Sequence, residues 1–254
     1  SSRVNLIKPG GFYGFVPHAG GGEAPKVQDP PLCWLPMGWD NSGGGQIWVT
    51  SDLWGPLKGG LLHTSYGTGS LFLLPYEVVD GVPQGGAVKF GLSFSSGIIR
   101  GRFHPKDGQL YLAGLKGWQT TGVKDAALQR VRYTGKPVVM LQGLHVTKTG
   151  LELTFTSALD PETATAVDSW GLLQWNYLWS EKYGSADFSV ENPKKQVRDS
   201  VELKSAALSS DGRTLSFEIP GLRPVMQMQI KGRIRTAAGA TAGAKGGVVT
   251  ALPA

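Results

Sequence analysis

The chain has 254 residues, 41% of them hydrophobic and 17% charged, with a formal net charge of +6. That is enough apolar material for a sizeable core, and no stretch reaches the roughly 18 apolar residues of a helical membrane span, so none is expected. The cations are scattered over many turns, with only Lys194 and Lys195 adjacent, so the dense basic stripe that a phosphate backbone needs is missing and nucleic acid is not an expected partner.

The 37 glycines and 16 prolines, set among many Trp, Tyr, Val and Thr, point to short strands and many turns, and the fold class expected is all-β. Residues 1–136 form a Gly-rich first region. Its opening residues lack the basic head and apolar run of a secretion signal, and the chain reads as beginning inside a domain. Cys33 is alone, which excludes an intrachain disulfide and a Cys-x-x-Cys-His haem site; between Leu32 and Trp34 it reads as a buried hydrophobe. Strands are expected at 46–51, 60–65, 70–77, 87–94, 98–103, 109–115 and 128–133, each bounded by Gly, Pro or Asp. Nothing between them is long enough for a crossover helix, which favours a propeller or a sandwich over βαβ units.

Residues 137–236 form a second region with cleaner alternation, as in Gly150–Thr156, Thr214–Ile219 and Met226–Lys231. A sheet with one buried face needs that pattern. A turn is expected at Asp160–Pro161, followed by a short helical link. Residues 237–254 are an Ala/Gly/Thr tail with too little side-chain bulk for a core, expected to be a linker or a loose terminal strand.

Arg100 and Arg102 lie two apart in a strand and so share one face, followed by the turn residues Pro105, Asp107 and Gly108. They form either an anion or cofactor contact, together with His63 and Trp118, or structural salt bridges to carboxylates such as Asp52 or Asp107. The loop Asp40-Asn41-Ser42, continuing into Gly43-Gly44-Gly45, offers a carboxylate, an amide and a hydroxyl to Ca²⁺ or sugar hydroxyls, unless it is simply a turn. Trp170, Trp175, Tyr177, Trp179 and Tyr183 crowd one segment and either stack on sugar rings or plug the seam between the two regions. His18, His63, His104 and His145 are too dispersed for a shared metal site, and no serine-hydrolase elbow, phosphate loop or dinucleotide fingerprint is present.

The stretch Gly97-Ile-Ile-Arg-Gly-Arg-Phe-His-Pro-Lys-Asp-Gly-Gln-Leu-Tyr-Leu-Ala-Gly114, with Trp54-Gly-Pro-Leu-Lys-Gly-Gly60, resembles the last blades of the soluble quinoprotein glucose dehydrogenases and sorbosone-dehydrogenase-like proteins. The resemblance implies a six-bladed β-propeller of which this chain supplies about two blades, since a blade takes about four strands. It also implies that Arg100 and Arg102 approach the carboxylates of pyrroloquinoline quinone. This sequence departs from that family where Tyr66-Gly67 replaces the cofactor lysine, and the catalytic histidine belongs to upstream blades.

Pro30-Pro-Leu-Cys-Trp-Leu-Pro36, Asp40–Ser51, Phe103–Tyr111 and Gly117-Trp-Gln-Thr120 resemble, over roughly residues 5–236, large secreted proteins of environmental bacteria that join such a propeller to a β-sandwich and often a cytochrome c module. The second region resembles bacterial Ig-like domains. These likenesses imply a periplasmic or extracellular parent, an oxidoreductase acting on a carbohydrate or polyol, with Ca²⁺, quinone or haem held elsewhere in it and electrons passed to a cytochrome c domain. Upstream blades or another chain would complete the ring, and the isolated chain is expected to be non-catalytic. The alternative is a scaffold module of a secreted degradative protein that binds carbohydrate or a protein partner.

Overall fold

The computed structural model describes residues 2–14, 27–180, 184–239 and 248–252. Two short strands, β1 (Ser2–Val4) and β2 (Cys33–Leu35), pair antiparallel and set Arg3 opposite Trp34. A meander follows: β3 (Gly43–Trp48), β4 (Leu61–Ser65), β5 (Ser70–Leu73), β6 (Tyr76–Val79) and β7 (Val82–Lys89), in the sheet order β3–β4–β5–β7 with β6 folded onto β7. The β6–β7 hairpin closes through Asp80 and Gly81, with φ of 50° and 80°. Both central residues of this two-residue turn are left-handed, which Asp-Gly tolerates and most pairs do not. A separate sheet, in the order β10–β9–β8, holds β8 (Gly97–Phe103), β9 (Leu110–Leu115) and β10 (Ala126–Val131).

Each strand expected in the first region has a counterpart, with informative shifts. The run 70–77 breaks after Leu73, ahead of Pro75, which has no N–H for a ladder and whose carbonyl instead accepts from Gly86 N at 2.9 Å. The strand expected over 87–94 lies earlier, at Val82–Lys89, because the Asp80–Gly81 turn starts it. The first strand of the meander begins at Gly43, inside the triple glycine read as a turn.

The second region contains β11 (Leu141–Val146), β12 (Gly150–Phe155), the short helix α1 (Pro161–Thr165), β13 (Trp170–Tyr177), β14 (Asp187–Phe188), β15 (Asp199–Val201), β16 (Ser205–Leu208), β17 (Thr214–Glu218) and β18 (Val225–Gly232). The expected Asp-Pro turn is the start of α1: Asp160 caps it, accepting from Thr163 N at 3.2 Å, and Pro161 occupies the first turn, where no N–H is needed. One sheet runs β11–β12–β17–β16, and the other is built on β13 and β18. In the tail, β19 (Val248–Leu252) inserts between β18 and β7 and joins the β13–β18 sheet to the first-region meander; residues 240–247, 253 and 254 of the tail lie outside the described residues.

Helix amounts to 6% and strand to 43% of the chain, against about a third helix in ordinary globular proteins, so the all-β expectation holds. Among the described residues no helix is long and apolar enough to cross a membrane. One apolar cluster runs from Ile47, Trp54 and Ile98 through Leu153 and Phe155 to Met228 and Ile230, so the interior continues across residue 137. Each buried Leu or Ile in it contributes about 1.5–3 kcal/mol. A second cluster, including Leu35, Leu61, Phe72 and Leu74, lies beneath the β1–β2 pair.

Candidate functional site

The two faces of the meander separate the residues that the sequence grouped together. In β4, Leu62 and Thr64 share one face while Leu61, His63 and Ser65 share the other. Strand β3 follows suit: a Cβ on Gly43 would lie 3.0 Å from His63 Cε1, whereas one on Gly44 would drive into the Ile98 carbonyl and Thr64 Oγ1. Strand β8, which carries Arg100 and Arg102, therefore packs on the Thr64 side, and His63 lies on the reverse.

His63 is buried in a closed polar knot. Its Nε2 donates to Asp40 Oδ2 at 2.9 Å, and its Nδ1 accepts from Gln46 Nε2 at 3.0 Å. Asp40 Oδ1 accepts from Ser65 Oγ at 2.5 Å and from Ser42 N at 3.0 Å. Ser65 hydrogen-bonds the carboxylate and not the imidazole, so no nucleophile–base relay exists, and the 0% exposure of Asp40 closes the knot to substrate. Burial first, and the Asp40 charge second, push the neighbouring Cys33 thiol up to about 12.

This overturns the expectation of an open cation or sugar loop at Asp40, Asn41 and Ser42. Both Asp40 oxygens are engaged inward, Ser42 Oγ donates to the Asn41 carbonyl at 2.8 Å, and Asn41 Nδ2 donates to the Gln119 carbonyl at 3.2 Å. Among the described residues no group of three or more His, Cys, Asp or Glu is placed to hold a metal ion.

Arg100 and Arg102 do share one face, as alternation requires, and both are exposed. Arg100 Nη1 donates to the Gly44 and Ile99 carbonyls at 2.9 and 2.8 Å, and Arg102 Nη1 to the Gly101 carbonyl at 2.7 Å. The salt bridges to Asp52 or Asp107 are not formed: Asp52 pairs with Lys58, and Asp107 with His104 at 3.4 Å. Trp118 is 77% exposed, its carbonyl accepting from Tyr66 Oη at 3.1 Å. The common pocket expected for Arg100, Arg102, His63 and Trp118 is thus not assembled, because a sheet separates His63 from the arginines. These residues do not fit a quinone, whose carboxylates would need the two guanidiniums and His63 on one side of the sheet.

The aromatic segment is split by strand alternation. Trp170 turns to the main core, edge-on to Phe217 at 4.9 Å, and lines an apolar cavity of about 320 Å³ at the seam with Trp54 and Tyr133. Trp175 is fully buried beneath the Arg198 guanidinium, 3.9 Å from its ring. Tyr183 lies outside the described residues.

Tyr177 and Trp179 instead reach a cleft of about 680 Å³, within the size range of small-molecule sites. Tyr177 meets Trp34 at 5.1 Å between ring centroids, and its hydroxyl donates to Gln227 Oε1. Burial pushes that phenol well above its ordinary pKa, so it stays protonated. Trp179 is half-buried, 6.3 Å from Phe12. Arg3 lies 5.2 Å from the Trp34 ring centroid and donates to Asn5 Oδ1 at 2.7 Å, to Gln28 Oε1 and to the Asp29 carbonyl at 2.9 Å. Asp29 and Asn176 add polar edges to a lining otherwise made mostly of Pro, Val and Met. The cleft offers flat apolar surface with a few fixed polar groups, and no paired acid and base. Sequence reasoning missed Arg3, Trp34, Asp29 and Asn176 as members of it; the motif Pro30–Pro36 was the available signal, but only the β1–β2 pairing brings it to β13.

Comparison of the chain with models of protein families, with curated proteins and with solved structures found no match.

Proposed function

We propose that this chain is a non-catalytic carbohydrate-binding part of a larger secreted protein and that the Trp34–Tyr177–Trp179 cleft is its sugar site. The observation that carries this reading is the cleft itself: the half-buried Trp179 in its lining, an aromatic floor of Trp34 and Tyr177, and Arg3, Asp29 and Asn176 at polar positions. Sugar rings present apolar C–H faces to aromatic rings and hydroxyls to just such groups. In this reading the meander and the β8–β10 sheet are neighbouring blades of a propeller completed by upstream blades, and the layers of the second region are an Ig-like sandwich. The resemblance of the Arg100–Tyr111 stretch to quinoprotein dehydrogenases supports a parent oxidoreductase acting on carbohydrate or polyol, with the chemistry held outside this chain.

Calorimetric and Trp-fluorescence titrations with neutral oligosaccharides from glucan, xylan, mannan and galactan test the site. At least one should bind saturably, and Trp179→Ala should weaken it about tenfold, near 1.4 kcal/mol. Absence of binding across the panel, or unchanged affinity of the variant, overturns the assignment. The isolated chain should also fail to reduce a dye acceptor with sugars in the presence of pyrroloquinoline quinone and Ca²⁺. Saturable reduction that disappears in an Arg100→Ala, Arg102→Ala double variant would overturn the non-catalytic reading.

A further inference from the structure

We propose that the outer face of the β8–β9–β10 sheet is a docking surface for an anionic polysaccharide chain, held by Arg100, Arg102 and Arg130. The strand registers fix the layout. Arg102 and Arg130 both lie opposite Tyr111 on β9, and Arg100 and Leu128 both lie opposite Ala113. Two strand spacings separate Arg102 from Arg130 by about 10 Å, with Tyr111 between them in register, and two residues separate Arg100 from Arg102 by about 7 Å. The opposite face of β8 is the buried one, since a Cβ on Gly101 would strike Ile47 and Leu112. The three guanidiniums therefore stand on the solvent side.

Among the described residues, none of the three forms an ion pair with a carboxylate. Asp107 is engaged by Gln109 N at 2.9 Å and by Tyr111 Oη at 2.8 Å, and Arg130 acts on it through its charge without a direct ion pair. His104 and Lys106 of the same hairpin add no negative charge. Arg100 donates from Nη1 to two backbone carbonyls and Arg102 from Nη1 to one, which fixes the side chains and leaves Nε and Nη2 of each fork for a ligand. A planar guanidinium pair flanking one aromatic ring suits a carboxylate or sulfate ester on a sugar whose ring lies against Tyr111. Nucleic acid is disfavoured because single strands are held by successive aromatic platforms along a continuous basic track, and the three strands bring a single Phe, Tyr or Trp side chain, Tyr111, to the arginine face.

Affinity electrophoresis of the full chain through gels containing polygalacturonate, dextran sulfate or neutral dextran, with a single-stranded oligonucleotide as competitor, tests the proposal. Retardation is expected in polygalacturonate or dextran sulfate, the two arms separating carboxylate from sulfate recognition, and not in neutral dextran. It should fall at least about tenfold in Arg102→Ala plus Arg130→Ala, and persist in Trp179→Ala, so that this face and the cleft fail independently. Because both arginines are exposed, thermal melting should show the double variant folded. Undiminished retardation of the double variant, no retardation in either anionic gel, or tighter binding of the oligonucleotide than of both polymers would each overturn the proposal.

Discussion

The Asp40 carboxylate grips the His63 ring at 2.9 Å across 23 residues of sequence, with 0% and 3% of the two residues exposed. A buried charge held this way is costly to orphan. Asp40→Ala strips partners from His63 Nε2, Ser65 Oγ and Ser42 N at once, and should destabilise the fold by about 3–5 kcal/mol. Urea unfolding checks this, and a loss below about 1 kcal/mol would mean that water replaces the carboxylate.

The contact between Glu77 and His145 should make stability depend on pH. His145 Nδ1 lies 2.7 Å from Glu77 Oε2, and that hydrogen bond raises the pKa of the imidazole in the fold. A raised pKa means that the folded state holds the proton more tightly. The contribution is therefore fully present below the ordinary histidine value of about 6.5 and is lost as pH rises through the folded value. His145→Gln should flatten the urea midpoint over that window, with a small amplitude because the ring is more than half exposed. An identical pH profile for the variant would rule the contact out as the source.

The Cys33 thiol, raised to about 12 and fully buried, should ignore thiol reagents in the native protein and react stoichiometrically after unfolding. Rapid native labelling would mean that the β1–β2 pair opens readily.

Gly44 is where β3 and β8 touch backbone to backbone, so Gly44→Ala should cost about 2 kcal/mol or more by forcing the Ile98 carbonyl away. Gly10→Ala, where an added Cβ meets nothing but φ is +77°, separates conformational strain from crowding. Equal effects at the two positions would argue that crowding is not the cause at Gly44.

Strand positions were legible wherever a turn residue bounded an alternating run, as at Pro105–Gly108 between β8 and β9, because those signals are local. The glycines at 43–45 misled because composition does not distinguish a glycine that turns the chain from one that lets another strand approach. Asp40 misled for a related reason: a carboxylate in a polar loop looks available until the partner from β4 is in place. The cleft was only half legible. Its Tyr177 and Trp179 stood out as aromatic excess, but Arg3 and Trp34 join them through pairing between distant segments, which no window on the sequence contains.

Gln227, fully buried, donates from Nε2 to the Trp34 carbonyl at 2.7 Å, a bond that spans 193 residues, and accepts from Tyr177 Oη. The strand that carries Trp34 is thus finished by a side chain that follows it by 193 residues. Until β18 has left the ribosome, the Trp34 carbonyl and the Tyr177 hydroxyl must stay hydrated, and the floor of the cleft cannot dry. Whenever β18 is not yet in place the cleft presents an open, wet aromatic surface, which gives holding chaperones something to grip.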